Sequence, residues 1–126
     1  MGKLMVIGML FIFAANVEHS QALTIDNNLT VCPEGALGCV HPELEDIHIA
    51  VMTNKALSRF VLLHEIGHIV DYKRGGAVTE RWADLYASCT INPRKQSPYA
   101  RDYSSPKQYR KRCARLAKEL SVARPL

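Results

Sequence analysis

Within the apolar stretch Phe60-Val61-Leu62-Leu63-His64-Glu65-Ile66-Gly67-His68-Ile69-Val70, the only polar side chains are His64, Glu65 and His68. Read as a helix, the stretch is apolar on nearly all sides, the mark of a buried helix. Two imidazoles and a carboxylate buried without partners are costly, so something has to satisfy them. A metal ion would do so. Histidines four apart lie on one helical face and can direct imidazole nitrogens at a single ion. Glu65 points to the side of that face, where a carboxylate can take a proton from a water that the metal activates. Gly67 has no side chain and lets another segment come close.

Two histidines do not complete a catalytic zinc site, which uses three protein ligands and keeps a position open. Glu80 is the candidate third ligand, because it opens the next helix after a short glycine-containing turn and can fold back beside the first. On that second helix Glu80, Ala83, Asp84, Ala87 and Ile91 share a face, and the two alanines keep it thin enough for close packing. Asp84 sits one turn beyond Glu80, where its carboxylate could accept the remaining N–H of His64 or His68 and fix the ring orientation.

His64-Glu65-Ile66-Gly67-His68 followed by Glu80-Arg81-Trp82-Ala83-Asp84 resembles the paired signature of the gluzincin metallopeptidases, the group that includes thermolysin. The resemblance covers about residues 47–89. It implies that His64, His68 and Glu80 hold one zinc ion, that Glu65 is the general base, and that Asp84 orients a ligand histidine. It also implies a strand before the active-site helix that lines the substrate cleft. The departure from the family pattern is the short gap between the two motifs, residues 69–79, which leaves a tight connection.

Local signals place the elements that must carry these residues. Ile47, Ile49 and Val51 alternate through a strand expected over Ile47–Met52. Thr53 or Asn54 can cap a helix from about Lys55 to about Lys73, ended by Gly75-Gly76. A second helix starts near Thr79 and stops before Asn92-Pro93. Ser105-Pro106-Lys107-Gln108 opens a last helix with a hydroxyl cap, proline at the first position and a capping-box glutamine. Tyr109, Cys113, Leu116 and Leu120 form its apolar stripe, and the helix is expected to run to Pro125. Residues 23–45, rich in Gly, Pro and Asn, read as loops with a strand or two.

The chain of 126 residues suffices for one domain. Its apolar run from Leu4 to Ala15, after Lys3, reads as a signal-peptide core too short to span a bilayer. Cleavage is expected after Ala22, leaving residues 23–126 as the domain, secreted or periplasmic and without a stable membrane span. All four cysteines fall in that part, as suits an oxidising compartment. They allow three connectivities, of which Cys32–Cys39 and Cys89–Cys113 is preferred. The net charge of +4 is concentrated toward the C-terminal end. A basic helix face is ordinarily solvated, so no nucleic-acid partner is expected.

The expected fold is therefore α+β: a small, mostly antiparallel sheet on the active-site helix, a helix bringing Glu80, and a C-terminal helix pinned by a disulfide. The resemblance implies hydrolysis of a peptide or protein substrate, with the strand at Ile47 holding an extended peptide. Two other readings stay open: a zinc-containing binding module without catalysis, and a basic disulfide-stapled interaction protein without metal. His41 and His48 are assigned no role, Trp82 is expected in the core, and Asp71 is either solvent-facing or near the ligands. Tyr99 and Tyr103 could reach over the cleft to stabilise an oxyanion, although packing or exposure is the plainer role for each.

Overall fold

The computed structural model describes residues 23–101 and 104–122. The expected leader, its cleavage point and Tyr103 lie outside these residues, and the last helix ends at Ser121 with Val122 as its C-cap, short of the expected Pro125. Three short strands, β1 (Thr24–Asp26), β2 (Gly38–His41) and β3 (Asp46–Ile49), precede three helices, α1 (Lys55–Lys73), α2 (Glu80–Ile91) and α3 (Pro106–Ser121). Single 3-10 turns at Leu29–Val31 and Pro42–Leu44 join the strands. The architecture is α+β.

Each helix begins where a side chain satisfies an orphan backbone N–H. Asn54 accepts from Leu57 N, Thr79 from Trp82 N and Ser105 from Gln108 N. α1 has the expected bounds. Beyond it Gly75 adopts φ +81°, a conformation that side chains disfavour.

The sheet is mixed rather than mostly antiparallel, with strand order β1-β3-β2. The chain reverses after β1 and again after β2, so β3 runs parallel to β1, and it inserts between the two earlier strands. Asp46 rather than Ile47 opens β3, and Ile49 ends it. Ala50 N bonds Leu37 O outside the ladder, and Val51 is 83% exposed. The expected inward alternation holds at Ile47 and Ile49 and fails at Val51, because no strand partner continues past Gly38.

One sheet face is apolar and packs on α1: Ile47, Ile49, Val61 and Ile69 are buried together, with Val40, Leu57 and Ile66 around them. A second cluster, Phe60, Ala87 and Ala100, fills the space between α1, α2 and the loop that follows α2. The two helices meet closely at Gly67, where an added Cβ would sit 3.1–3.2 Å from the Tyr86 side chain. Ala83 and Ala87, both fully buried, keep the facing surface of α2 thin as expected. Trp82 is only partly buried. Its indole stacks on Tyr86 and carries the Arg74 guanidinium 4.5 Å above it.

Both disulfides have the expected pairing, Cys32–Cys39 and Cys89–Cys113. The second joins α2 to α3, whose buried stripe is Tyr109, Cys113 and Leu116. Among the described residues no helix is long and apolar enough to cross a membrane.

Candidate metal centre

The turn between α1 and α2 decides where Glu80 goes, and a buried carboxylate organises it. Asp71, 2% exposed, accepts from Arg74 Nε at 2.8 Å and from Val78 N at 2.9 Å. Val78 is held at φ 54°, a left-handed conformation costly for a β-branched residue. Gly76 is required here, since a Cβ would fall 1.9 Å from Asp71 Oδ1. Asp71 thus belongs to the turn and is not solvent-facing, and its charge reaches His68 from there. The chain leaves this turn directed back along α1, and Thr79 caps α2 so that Glu80 opens it.

Glu80 then faces both histidines. Its Oε1 lies 3.0 Å from His64 Nε2 and its Oε2 2.9 Å from His68 Nε2. The imidazoles meet edge to face with centroids 4.7 Å apart. Asp84, one turn along α2, accepts from His64 Nδ1 at 2.7 Å. Glu65 is 5% exposed, and its carboxylate and the two imidazoles offer ligand atoms within 4.8 Å of one another. Glu80 is 60% exposed, so the cluster opens to solvent on its side.

The charges at the cluster are mutually adjusted. Burial pushes Glu65 up to about 7. Burial would also raise Asp84, but hydrogen bonds from His64 and Arg101 outweigh it and hold the carboxyl well below its usual range. Glu80 is lowered, its burial overcome by Arg101 and the two histidines. Burial would lower His64, but the Asp84 hydrogen bond and the nearby carboxylates together outweigh it and raise the imidazole. Burial and the charge of His64 lower His68, which favours the neutral ring that a metal ligand needs.

These residues fit a divalent cation. His64 has carboxylate oxygens at both ring nitrogens, whereas a neutral imidazole carries one proton. With Nδ1–H donated to Asp84, Nε2 faces Glu80 and must carry either a second ring proton or a metal cation. A cation held by His64 and His68, with Glu80 or Glu65 as the carboxylate ligand, would supply the positive charge. A buried carboxylate on the far nitrogen is the usual support of a metal-bound histidine.

One participant was not foreseen. Arg101 donates to Asp84 from its backbone N and from Nε, each at 3.0 Å, and from Nη2 to Glu80 Oε1 at 3.1 Å. The loop carrying it is tied down by Ser88, whose Oγ accepts from Ser97 N at 2.8 Å and contacts Tyr109 Oη at 2.7 Å. No spacing in the sequence signals that arrangement. Tyr99 packs on Phe60, and its hydroxyl accepts from Asn54 at the start of α1, so its role is packing.

The strand nearest Glu65 is also not the expected one. β3 is central and paired on both sides, which leaves it no free edge for a peptide. β2 is an edge strand, and a Cβ on its Gly38 would lie 3.3 Å from Glu65 Oε2. In comparisons with known families, characterised proteins and solved structures, the chain matches none.

Proposed function

We propose that this chain is a secreted or periplasmic zinc metallopeptidase with a zincin-like arrangement, acting on peptide or protein substrates. The observation that supports it most is the single Glu80 carboxylate facing Nε2 of both His64 and His68, with Glu65 buried beside them. Two imidazoles and one carboxylate are a ligand set of catalytic zinc. The chemistry supplied by bound zinc is Lewis acidity, which polarises a scissile carbonyl and acidifies water.

The remaining work belongs to the chain. Glu65, poised near neutrality by burial, takes the proton of the attacking water and returns it to the leaving amine. Asp84 holds the Nδ1 proton of His64 and so keeps Nε2 directed at Glu80. Arg101 braces both carboxylates from the solvent side. An extended substrate would add to the free edge of β2 through main-chain hydrogen bonds, and Gly38 lets that strand sit directly against Glu65.

The test is zinc content after exhaustive dialysis, followed by cleavage of a mixed peptide library. His68→Ala and Glu80→Ala should each lose one equivalent of zinc relative to wild type. Glu65→Gln should keep the metal and lose activity by roughly 100-fold or more. Folded His68→Ala and Glu80→Ala variants that keep the full zinc content of wild type, or folded wild type without zinc, would overturn the reading. Zinc bound at this site without hydrolysis would make the chain a binding module instead.

A further inference from the structure

The sheet face turned away from α1 repeats the chemistry of the helical cluster. Strand register puts Thr24 and Asp26 of β1, Cys39 and His41 of β2, and Asp46 and His48 of β3 on that face. His48 is buried, with a carboxylate at each ring nitrogen: Nδ1 lies 2.6 Å from Asp26 Oδ1 and Nε2 3.0 Å from Asp46 Oδ2. The other oxygen of Asp46 is committed, accepting from Thr24 Oγ1 at 2.6 Å. His41 Nδ1 is a buried atom without a hydrogen-bond partner, 3.8 Å from Asp46 Oδ2.

That arrangement has the same logic as Asp84–His64–Glu80. With Nδ1–H of His48 donated to Asp26, Nε2 facing Asp46 carries either a second ring proton or a metal ion. His41 brings a second ring nitrogen to the same oxygen from beyond hydrogen-bond range. Ligands of one tetrahedral zinc ion lie about 3.3 Å apart, given zinc–nitrogen distances of about 2.0–2.1 Å. The separations of 3.0 and 3.8 Å from Asp46 Oδ2 to the two nitrogens bracket that value. All three ligand atoms lie within 4.8 Å of one another.

We propose that His41 Nδ1, Asp46 Oδ2 and His48 Nε2 form a second divalent-metal site, with Asp26 as a positioning residue. Two imidazoles and one carboxylate favour zinc or a neighbouring transition metal over calcium or magnesium. The site is structural in character: its ligands come from β2 and β3, and Asp26 extends the tie to β1. A metal here fastens both outer strands to β3, including the β2 edge that abuts Glu65. It does not depend on the helical cluster being catalytic.

The experiment is calorimetric titration of Zn2+ into the metal-free, oxidised protein, as wild type, His41→Ala, Glu80→Ala and the double variant. His41 has a side chain 43% exposed, so its truncation is compatible with folding, which circular dichroism checks. Wild type should bind two equivalents, each single variant one, and the double variant none. Asp26→Asn should weaken the His41-dependent event by roughly 10- to 100-fold, as loss of the partner of a ligand histidine does. Equal stoichiometry in wild type and folded His41→Ala would overturn the sheet site and show that His48 holds a proton between its two carboxylates. A single equivalent in wild type that His41→Ala loses and Glu80→Ala keeps would sustain the sheet site while removing the helical one.

Discussion

Glu65 and Asp84 are both buried carboxylates, yet their surroundings move them in opposite directions. Burial raises Glu65 from 4.5 to about 7, so in metal-free protein its contribution is fully present below 4.5 and is lost as pH rises through 7. Asp84 is depressed, so its contribution is present above 3.8 and disappears as pH falls through its lower folded value. Metal-free protein should therefore be most stable on the acid side of neutrality. Glu65→Gln removes one half of that balance: in chelator at about pH 8 the variant should exceed wild type by about 3 kcal/mol, and near pH 4 the two should coincide. Urea unfolding at the two pH values measures this, and equal stabilities at both would remove the burial cost assigned to Glu65. Asp84→Asn should weaken zinc binding by roughly 10- to 100-fold without deleting a ligand, because the ring of His64 loses the acceptor of its Nδ1 proton. A competition titration with a chromophoric chelator reads that change.

At the scale of elements, the closeness of α1 and α2 keeps Glu80 on the histidines. Gly67→Ala places a methyl against Tyr86, and relieving the overlap pushes α2 outward. The expected cost is about 1–3 kcal/mol together with weaker zinc binding. Gly76→Ala should be worse, since its methyl would displace the Asp71 carboxylate that holds Val78. Thermal unfolding and zinc titration of both variants rank them, and an unchanged Gly76→Ala would contradict the assigned role of Asp71. These helices were legible in the sequence because their determinants are local: Asn54, Thr79 and Ser105 cap where they stand, and Gly75 ends α1 through its own conformation. The cluster of His64, His68, Glu80 and Asp84 was legible for the same reason, as one tight turn separates the two helices. The sheet order was not. Periodicity reports which residues of β3 face inward, but insertion between β1 and β2 is decided by distant partners. Arg101 was hidden likewise, since a loop anchored through Ser88, Tyr109 and Ser97 leaves no periodic trace.

For the molecule as a whole, Cys89–Cys113 closes a loop of sequence separation 24 and seats α3 on α2. Replacing both cysteines with serine should lower stability by about 3 kcal/mol. The zinc stoichiometry should stay unchanged, because α3 carries no ligand of either cluster. Denaturant unfolding beside elemental analysis tests the pair of expectations, and loss of zinc with the disulfide would tie α3 to the metal centre. The tight turn between the helices also bears on how the chain folds. His64, His68, Glu80 and Asp84 all fall within one short stretch of chain, so bringing them together in the unfolded state closes only a small loop, at modest entropic cost. The disordered chain should then hold zinc with appreciable affinity of its own, and the ion should raise equilibrium stability by less than its affinity for the folded site implies. Its larger effect should fall on the rate of refolding, with the ion gathering α1 and α2 into a nucleus before the sheet is in place.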